Sequence, residues 1–377
     1  MRWPVKAFGE PMTRSVERHR ARAATVAWLL GSLTLTQAGA ALPGTVGEAL
    51  DRPAASARGP ERSVLLAAAR AGSRLIAVGE RGIVLLSDDE GGTWRQVSTP
   101  VSVTLTAVRF ADRDNGYAVG HGGVVLRTGD GGLTWHRSLD GRKIAKVMLA
   151  AATAVADAKA VQSAQRLATD GPDKPLLDIL IFDSQRALVV GAFGLALLTE
   201  DGGTTWSTWR DRLDNPKELH LYTVRQRGNR VVIAGEQGLV LQSSDSGKSF
   251  KRLATPYNGS FFTAELPDDD GIIVAGLRGK VWRSPDVGAT WMQLSSPVEA
   301  SITASAVGSD GRLLFSNQAG MVLALRDDKL QPVGSRTLGP LNFLLPMDTR
   351  RVLALSVQGV DRVDLQAADP APQKKSQ

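Results

Sequence analysis

Along most of this chain, short apolar runs rich in β-branched residues are cut at regular intervals by glycine. Ala77-Val78 leads into Gly79-Glu80-Arg81-Gly82 and then Ile83-Val84-Leu85-Leu86, and Ala118-Val119 leads into Gly120-His121-Gly122-Gly123 and then Val124-Val125-Leu126. The same interruption returns as Gly191-Ala192-Phe193-Gly194, Gly235-Glu236-Gln237-Gly238 and Gly276-Leu277-Arg278-Gly279. A Gly-x-x-Gly between two such runs predicts a tight hairpin joining two strands.

A second punctuation follows each hairpin. Ser87-Asp88-Asp89-Glu90-Gly91-Gly92-Thr93-Trp94 fits the pattern S/T-x-D-x-G-x-T/S-aromatic, and so do the stretches holding Asp130 and Trp135, Asp201 and Trp206, Asp245 and Phe250, and Asp286 and Trp291. A short carboxylate can accept hydrogen bonds from backbone N–H groups of its own turn, and the Ser or Thr hydroxyl adds a weaker local bond. The glycine permits positive φ, and the closing aromatic packs beneath the turn. Turn chemistry accounts for every one of these aspartates without a substrate. We read them as structural.

Each unit is therefore strand, turn, strand, Gly-x-x-Gly hairpin, strand, Asp box, strand, which describes one four-stranded propeller blade. Asp89 to Asp130 is 41 residues, Asp201 to Asp245 is 44 and Asp245 to Asp286 is 41, a spacing expected of blades. Two further units without a box are read at 302–306, 312–316 and 321–326, and at 341–346, 351–356 and 360–365. The expectation is an all-β, seven-bladed β-propeller over 63–365. Residues 41–62 form an N-terminal segment, whose stretch 44–50 is expected to supply the missing fourth strand of the last blade. A polar, disordered tail is expected over 366–377.

Between Asp130 and Asp201 the interval stretches to 71 residues. Residues 143–167 are Ala-rich and free of Gly and Pro, with Ile144, Val147, Met148, Ala151, Val155 and Val161 on one helical face. One helix of 20 or more residues is expected inside an insertion over 140–174, ended by Gly171-Pro172. It should lie on or beside the hairpin face, as the link between blades two and three opens there.

Charge and composition add an address. The formal net charge is +7, but residues 1–40 hold six basic and two acidic residues, a balance of +4, leaving only +3. Arg14, Arg18, Arg20 and Arg22, an uncharged run over 23–35 and the small-x-small site Ala38-Gly39-Ala40 predict a cleaved signal peptide over 1–40, with Met12 an alternative start. The expected location is exported, periplasmic and soluble after cleavage. So mild a remaining charge implies no nucleic-acid partner. No cysteine is present, which excludes disulfides and thiolate chemistry.

Catalytic constellations are sparse. Asp boxes also decorate sialidases, whose chemistry needs a Tyr nucleophile, an acid carboxylate and clustered arginines. Tyr222, on a first strand, can approach the central channel, but the sequence pairs it with no Glu and Arg set. A carbohydrate-binding or sialidase-like glycoside hydrolase propeller is the alternative. His121, His136 and His220 stand at no ligand spacing, and Asp268-Asp269-Asp270 does not reproduce a calcium loop. We therefore expect no enzyme, metal, cofactor or small-molecule substrate.

Gly-x-x-Gly, an apolar run and Asp-Gly-Gly-x-Thr-Trp together resemble the photosystem II stability and assembly factor family of BNR-type propellers. The resemblance covers roughly 63–334 and is clearest at 78–94, 119–135 and 190–206. It implies a non-catalytic scaffold that binds membrane-protein subunits through one Arg-rich face. On the equivalent hairpin tips this chain places Glu80, Arg81, His121, Phe193, Glu236, Gln237 and Arg278, which become the candidate partner-binding residues. The implied partner is a membrane protein complex or another envelope protein. Similar proteins in non-photosynthetic bacteria look associated with membrane exporters of the RND type.

Overall fold

The computed structural model describes residues 48–366. The predicted signal peptide, residues 44–47 and the tail from 367 lie outside the described residues. What is described is a seven-bladed β-propeller: six four-stranded antiparallel sheets and one of three strands. The blades follow one another in chain order, and the first strand of each packs beside the first strands of its neighbours. These inner strands are Leu65–Ala71, Leu105–Phe110, Leu176–Ile181, Leu221–Arg227, Phe261–Glu265, Ile302–Val307 and Leu341–Pro346.

The continuous apolar runs of the second and third strands reflect burial on both faces. In blade one, Leu75 and Ala77 point into a cluster shared with Leu353 and Leu355 of blade seven. Ile76 and Val78 point into another, shared with Leu105 and Leu126 of blade two. Similar clusters fill every seam around the ring. Side chains alternate across a strand, so a strand sandwiched between two blades has no solvent face to keep polar.

Each Asp box forms the predicted turn. In the first, the Thr93 N–H donates to Asp89 Oδ1 at 2.9 Å, the Thr93 hydroxyl to Oδ2 at 2.7 Å and the Ser87 hydroxyl to Oδ1 at 2.8 Å. The same bonds recur around Asp130, Asp201, Asp245 and Asp286. The fifth box residue has φ near +80 to +88° in all five, from Gly91 at 80° to Gly288 at 88°, a conformation that favours glycine. Trp135, Trp206 and Phe250 are buried, whereas Trp94 and Trp291 are half-buried. The box glycine also lies against the preceding blade: Gly132 on Leu86 and Ile76, Gly203 on Tyr117, and Gly91 on Leu353 across the first and last blades.

Among the described residues the seventh sheet holds three strands, Leu341–Pro346, Arg351–Ser356 and Gly359–Asp364; of the stretch 44–50 only 48–50 are described, and these run beside blades one and two. The Ala49 carbonyl accepts from Ser102 N–H and the Thr99 carbonyl from Ala54 N–H, while Leu50 is buried among blade-one and blade-two residues. The segment thus belts blade one. Ring closure rests on inner-strand contact, on the Asn342 amide donating to the Leu65 carbonyl at 2.9 Å, and on Arg351 beside Glu90 at 3.5 Å.

The insertion holds two helices, α1 (Gly141–Ala154) and α2 (Ala158–Asp170), where one was expected. Asp157 caps α2, accepting from the Lys159 and Ala160 N–H groups, and Ala156 adopts φ 53°. An aspartate at that point favours a new helix N-terminus over continuation. Val155, placed above on one helical face with Ile144, is 69% exposed at the bend. Ile144 is buried against blades two and three, and α1 begins tightly against Gly123 in the blade-two hairpin.

Candidate functional site

Every inner strand carries the same irregularity. Its first residue pairs with the first glycine of the hairpin in blades one to five, and with the equivalent Asn317 and Ser356 in the last two; the register then skips one residue. The skipped residues are Leu66, Thr106, Leu177, Tyr222, Phe262, Thr303 and Asn342. A bulge leaves one residue out of the ladder and re-aims its side chain. All seven line one cavity of about 290 Å³ in the channel at the hairpin end.

Below that ring sits a layer of charge. Arg109, Asp178 and Arg225 line the cavity, and Glu265 joins them from beneath. Arg225 Nη1 lies 2.5 Å from Asp178 Oδ2 and Arg109 Nη2 lies 3.4 Å from Asp178 Oδ1. Arg225 Nε is 3.9 Å from Glu265 Oε1. The Thr223 hydroxyl and the Val224 and Ile179 N–H groups also donate to Asp178. The Ser305 hydroxyl donates to Glu265 at 2.8 Å and is itself 2.6 Å from Thr263 Oγ1. Asp178 and Glu265 are nearly buried and need partners, and each has one.

The environment sets the charges apart. Burial pushes the Asp178 carboxyl up, but Arg225, Arg109 and the Val224 and Ile179 N–H groups outweigh it and hold the group below its ordinary value. Burial also dominates at Glu265, whose carboxyl is raised despite Arg225 and Ser305. Arg109 is pulled down by burial, which Asp178 and Glu265 oppose. An arginine so shifted still carries its proton.

From the cavity an aromatic row runs outward. Phe262 and Tyr222 meet edge-on with centroids 5.3 Å apart, Tyr222 and His220 at 6.2 Å, and His220 and Phe193 at 4.9 Å. Lys174 lies over the Phe193 ring at 5.2 Å. The Phe193 N–H donates to His220 Nδ1 at 2.8 Å, and the His220 N–H to Glu236 Oε2 at 3.2 Å. Burial, then the Glu236 charge, raise the Tyr222 hydroxyl above its usual range.

The hairpin-tip residues named above are distributed around this face. Glu80, Arg81, His121, Phe193, Gln237 and Arg278 are exposed and Glu236 is half-buried. The structure brings Phe193 and Glu236 together through His220. Glu80 and Arg81 instead border a separate cleft with Arg62 and the belt segment. Arg278 stands apart, its N–H donating to the Ser301 hydroxyl. Arg81, Phe193, Gln237 and Arg278 all have φ between 52 and 56°. The Asp boxes lie at the opposite ends of the blades.

Sequence reasoning placed Tyr222 toward the channel but missed Arg109, Asp178, Arg225, Glu265 and Phe262. Phe262 occupies the same second position of its inner strand as Tyr222 and was legible by that analogy, whereas the four charged residues stand at other positions of their strands. Asp269, in the acidic run noted above, accepts from Arg227 Nε at 3.0 Å. Among the described residues no group of three or more His, Asp or Glu forms a metal cluster.

A family model described as photosynthesis system II assembly factor YCF48 matches residues 86–157 and 157–320. A curated relative, the photosystem II assembly lipoprotein Ycf48 of Synechococcus sp. (strain CC9902), is 28% identical over 93 residues, which is 25% of this chain and 26% of that protein. The matched stretch thus spans about a quarter of that relative's length. Among solved structures, one described as YCF48 bound to D1 peptide superposes with a TM-score of 0.60 at 16% identity, covering 84% of this chain and 100% of that one. YCF48 from Cyanidioschyzon merolae gives 0.59 at 17% identity, covering 81% and 96%. The WD40 β-propeller domain of Doa1 gives 0.59 at 11% identity, covering 85% and 97%. At such identities the structural likeness is one of fold.

Proposed function

This chain belongs to the photosynthesis system II assembly factor YCF48 family, and on that premise we propose that it is a periplasmic, protein-binding scaffold that assists assembly of a membrane protein complex. The hairpin face is its binding surface. The observation that carries this reading is the ring of seven bulged side chains around one channel mouth, flanked by an aromatic row. Bulges persist where a side chain must be re-aimed, and aromatic side chains on a rigid scaffold supply binding energy at low entropic cost. A solved relative is described as bound to a peptide, which supports a polypeptide as ligand.

The client is a subunit of a membrane complex, photosystem II where the host is photosynthetic and a transporter of the RND type where it is not. The N-terminal basic head, apolar run and Ala38-Gly39-Ala40 site support delivery by export. The Synechococcus relative is described as a lipoprotein, whereas this sequence carries no cysteine and so offers no thiol for a lipid.

The test is site-specific photocrosslinking in living cells. A photoreactive residue replacing Phe193 or Arg278 on the hairpin face should capture a subunit of a membrane complex. One replacing Leu133, exposed in an Asp box, should not. Capture from Leu133 alone, or from neither face, would overturn the reading.

The glycoside hydrolase alternative draws on the same cavity, since Tyr222 shares it with Arg109 and Arg225, and Glu265 lies close by. The Arg225 guanidinium is engaged by the channel's own carboxylates, and the Tyr222 hydroxyl is shifted away from the ionisation a nucleophile needs. Turnover of a sialoside that disappears in Tyr222→Phe would favour this reading instead.

A further inference from the structure

We propose that the hairpin-end channel is a socket for the C-terminal carboxylate of a partner polypeptide, with the residues before it lying along the aromatic row toward Phe193. This rests on the reading above that the hairpin face binds a polypeptide, and adds which part of it enters the channel.

The cluster turns its cations toward the cavity. The Arg109 and Arg225 side chains are 28% and 20% exposed, against 6% and 11% for Asp178 and Glu265. A ligand entering the mouth therefore meets guanidinium first, although the four charges nearly balance. Arg109 is the less engaged of the two. Its contacts are 3.4 Å to Asp178 and 3.3 Å to the Val108 carbonyl, where Arg225 reaches Asp178 at 2.5 Å. With five N–H donors, Arg109 retains capacity for an incoming carboxylate. The Phe343 ring centroid lies 6.0 Å from its guanidinium carbon.

Shape favours a chain end over a passing segment. Beneath the arginines, Glu265, Ser305 and Thr263 are hydrogen-bonded in a row that reaches Asp178 through Arg225, so polar groups of blades three to six narrow the channel below the cavity. The aromatic row leaves the mouth on one side only, over blades five, four and three. Across the mouth the ring continues as Thr303, Asn342 and Leu66, with no aromatic row behind them among the described residues. A chain ending in the socket needs one exit track, and one is present.

The experiment uses fluorescence anisotropy with a fluorescein-labelled peptide, Gly-Ser-Ala-Phe-Ala-Phe-Ala, made with a free carboxyl and with a C-terminal amide. Loss of one charge-assisted contact predicts about tenfold weaker binding of the amide. Arg109→Gln should erase that difference. Leu66→Asp, which places a negative charge at the mouth, should weaken the free acid more than the amide, and serves should Arg109→Gln fail to fold. Equal binding of acid and amide, a difference that survives both variants, or no binding of either at about 1 mM would overturn the socket. The photocrosslinking result is independent of all three, so a hairpin face that captures a partner without preferring a free carboxyl separates failure of this inference from failure of the scaffold reading.

Discussion

Arg225 on the inner strand of blade four grips Asp178 on that of blade three at 2.5 Å, and this pair anchors a polar layer that crosses the channel from Arg109 in blade two to Ser305 in blade six. Removing one member of a buried pair costs far more than the pair contributes, because it strands the other charge. Asp178→Ala should lower stability by about 3–5 kcal/mol, read from urea denaturation, and Asp178→Asn by less. A loss below about 1 kcal/mol, the range of an exposed pair, would show that water reaches the layer freely.

Glu265 gives the same layer a pH dependence. Its folded carboxyl is raised above the unfolded value, chiefly by burial, so the native state holds this proton more tightly than the unfolded chain. Its contribution is full below the unfolded value, near 4.3, and is lost as pH rises through the folded value. Glu265→Gln lacks this term. The stability of Glu265→Gln relative to the parent should therefore increase between pH 4 and pH 8 in paired urea titrations. A constant difference would mean that Arg225 and Ser305 compensate the ionised form in full.

The Asp boxes carry the opposite sign. The Thr93 N–H, the Thr93 hydroxyl and the Ser87 hydroxyl hold the Asp89 carboxyl at about 2. That stabilisation is complete above the unfolded value, near 3.9, and disappears as pH falls through about 2. Asp89→Ala should melt at a lower temperature than the parent at pH 7, and the two curves should converge near pH 2. Asp130, Asp201, Asp245 and Asp286 are lowered as well, so acid should unfold the ring cooperatively. Melting temperatures that stay equally far apart at pH 2 would place the role of Asp89 elsewhere than in its charge.

What the sequence disclosed follows from how local each signal is. Asp89 bonds to Ser87 and Thr93, and Gly82 turns between its own flanking strands, so boxes and hairpins were legible within a few residues, and the seven blades with them. Arg109, Asp178, Arg225 and Glu265 lie 40 to 69 residues apart from one to the next along this charge chain and meet only because the ring closes. Each looks ordinary in its own strand. Asp157 was a local helix-start signal overlooked inside an Ala-rich run. The belt over blade one has no hydrophobic period to announce it. It is positioned by single contacts, Leu50 in the core and Asp51 on Arg142 and Arg137.

The hairpin tips allow a test of whether this face is kept for binding. Gln237 and Arg278 are exposed and adopt φ 52 and 56°, a region that costs a residue with a Cβ roughly 1 kcal/mol or more. Blade two shows the turn without this strain, because Gly122 occupies the equivalent position at φ 70°. A glycine gains back that cost and loses part of it to a freer unfolded chain. Gln237→Gly and Arg278→Gly should therefore each stabilise the fold by roughly 0.5–1 kcal/mol. Strained side chains retained at a stability cost point to use, so the double variant should also capture less partner in the Phe193 crosslinking assay. Two results would count against this. Destabilised glycine variants would mean that the two side chains support the folded ring, and stabilised variants with undiminished capture would remove these tips from the interface.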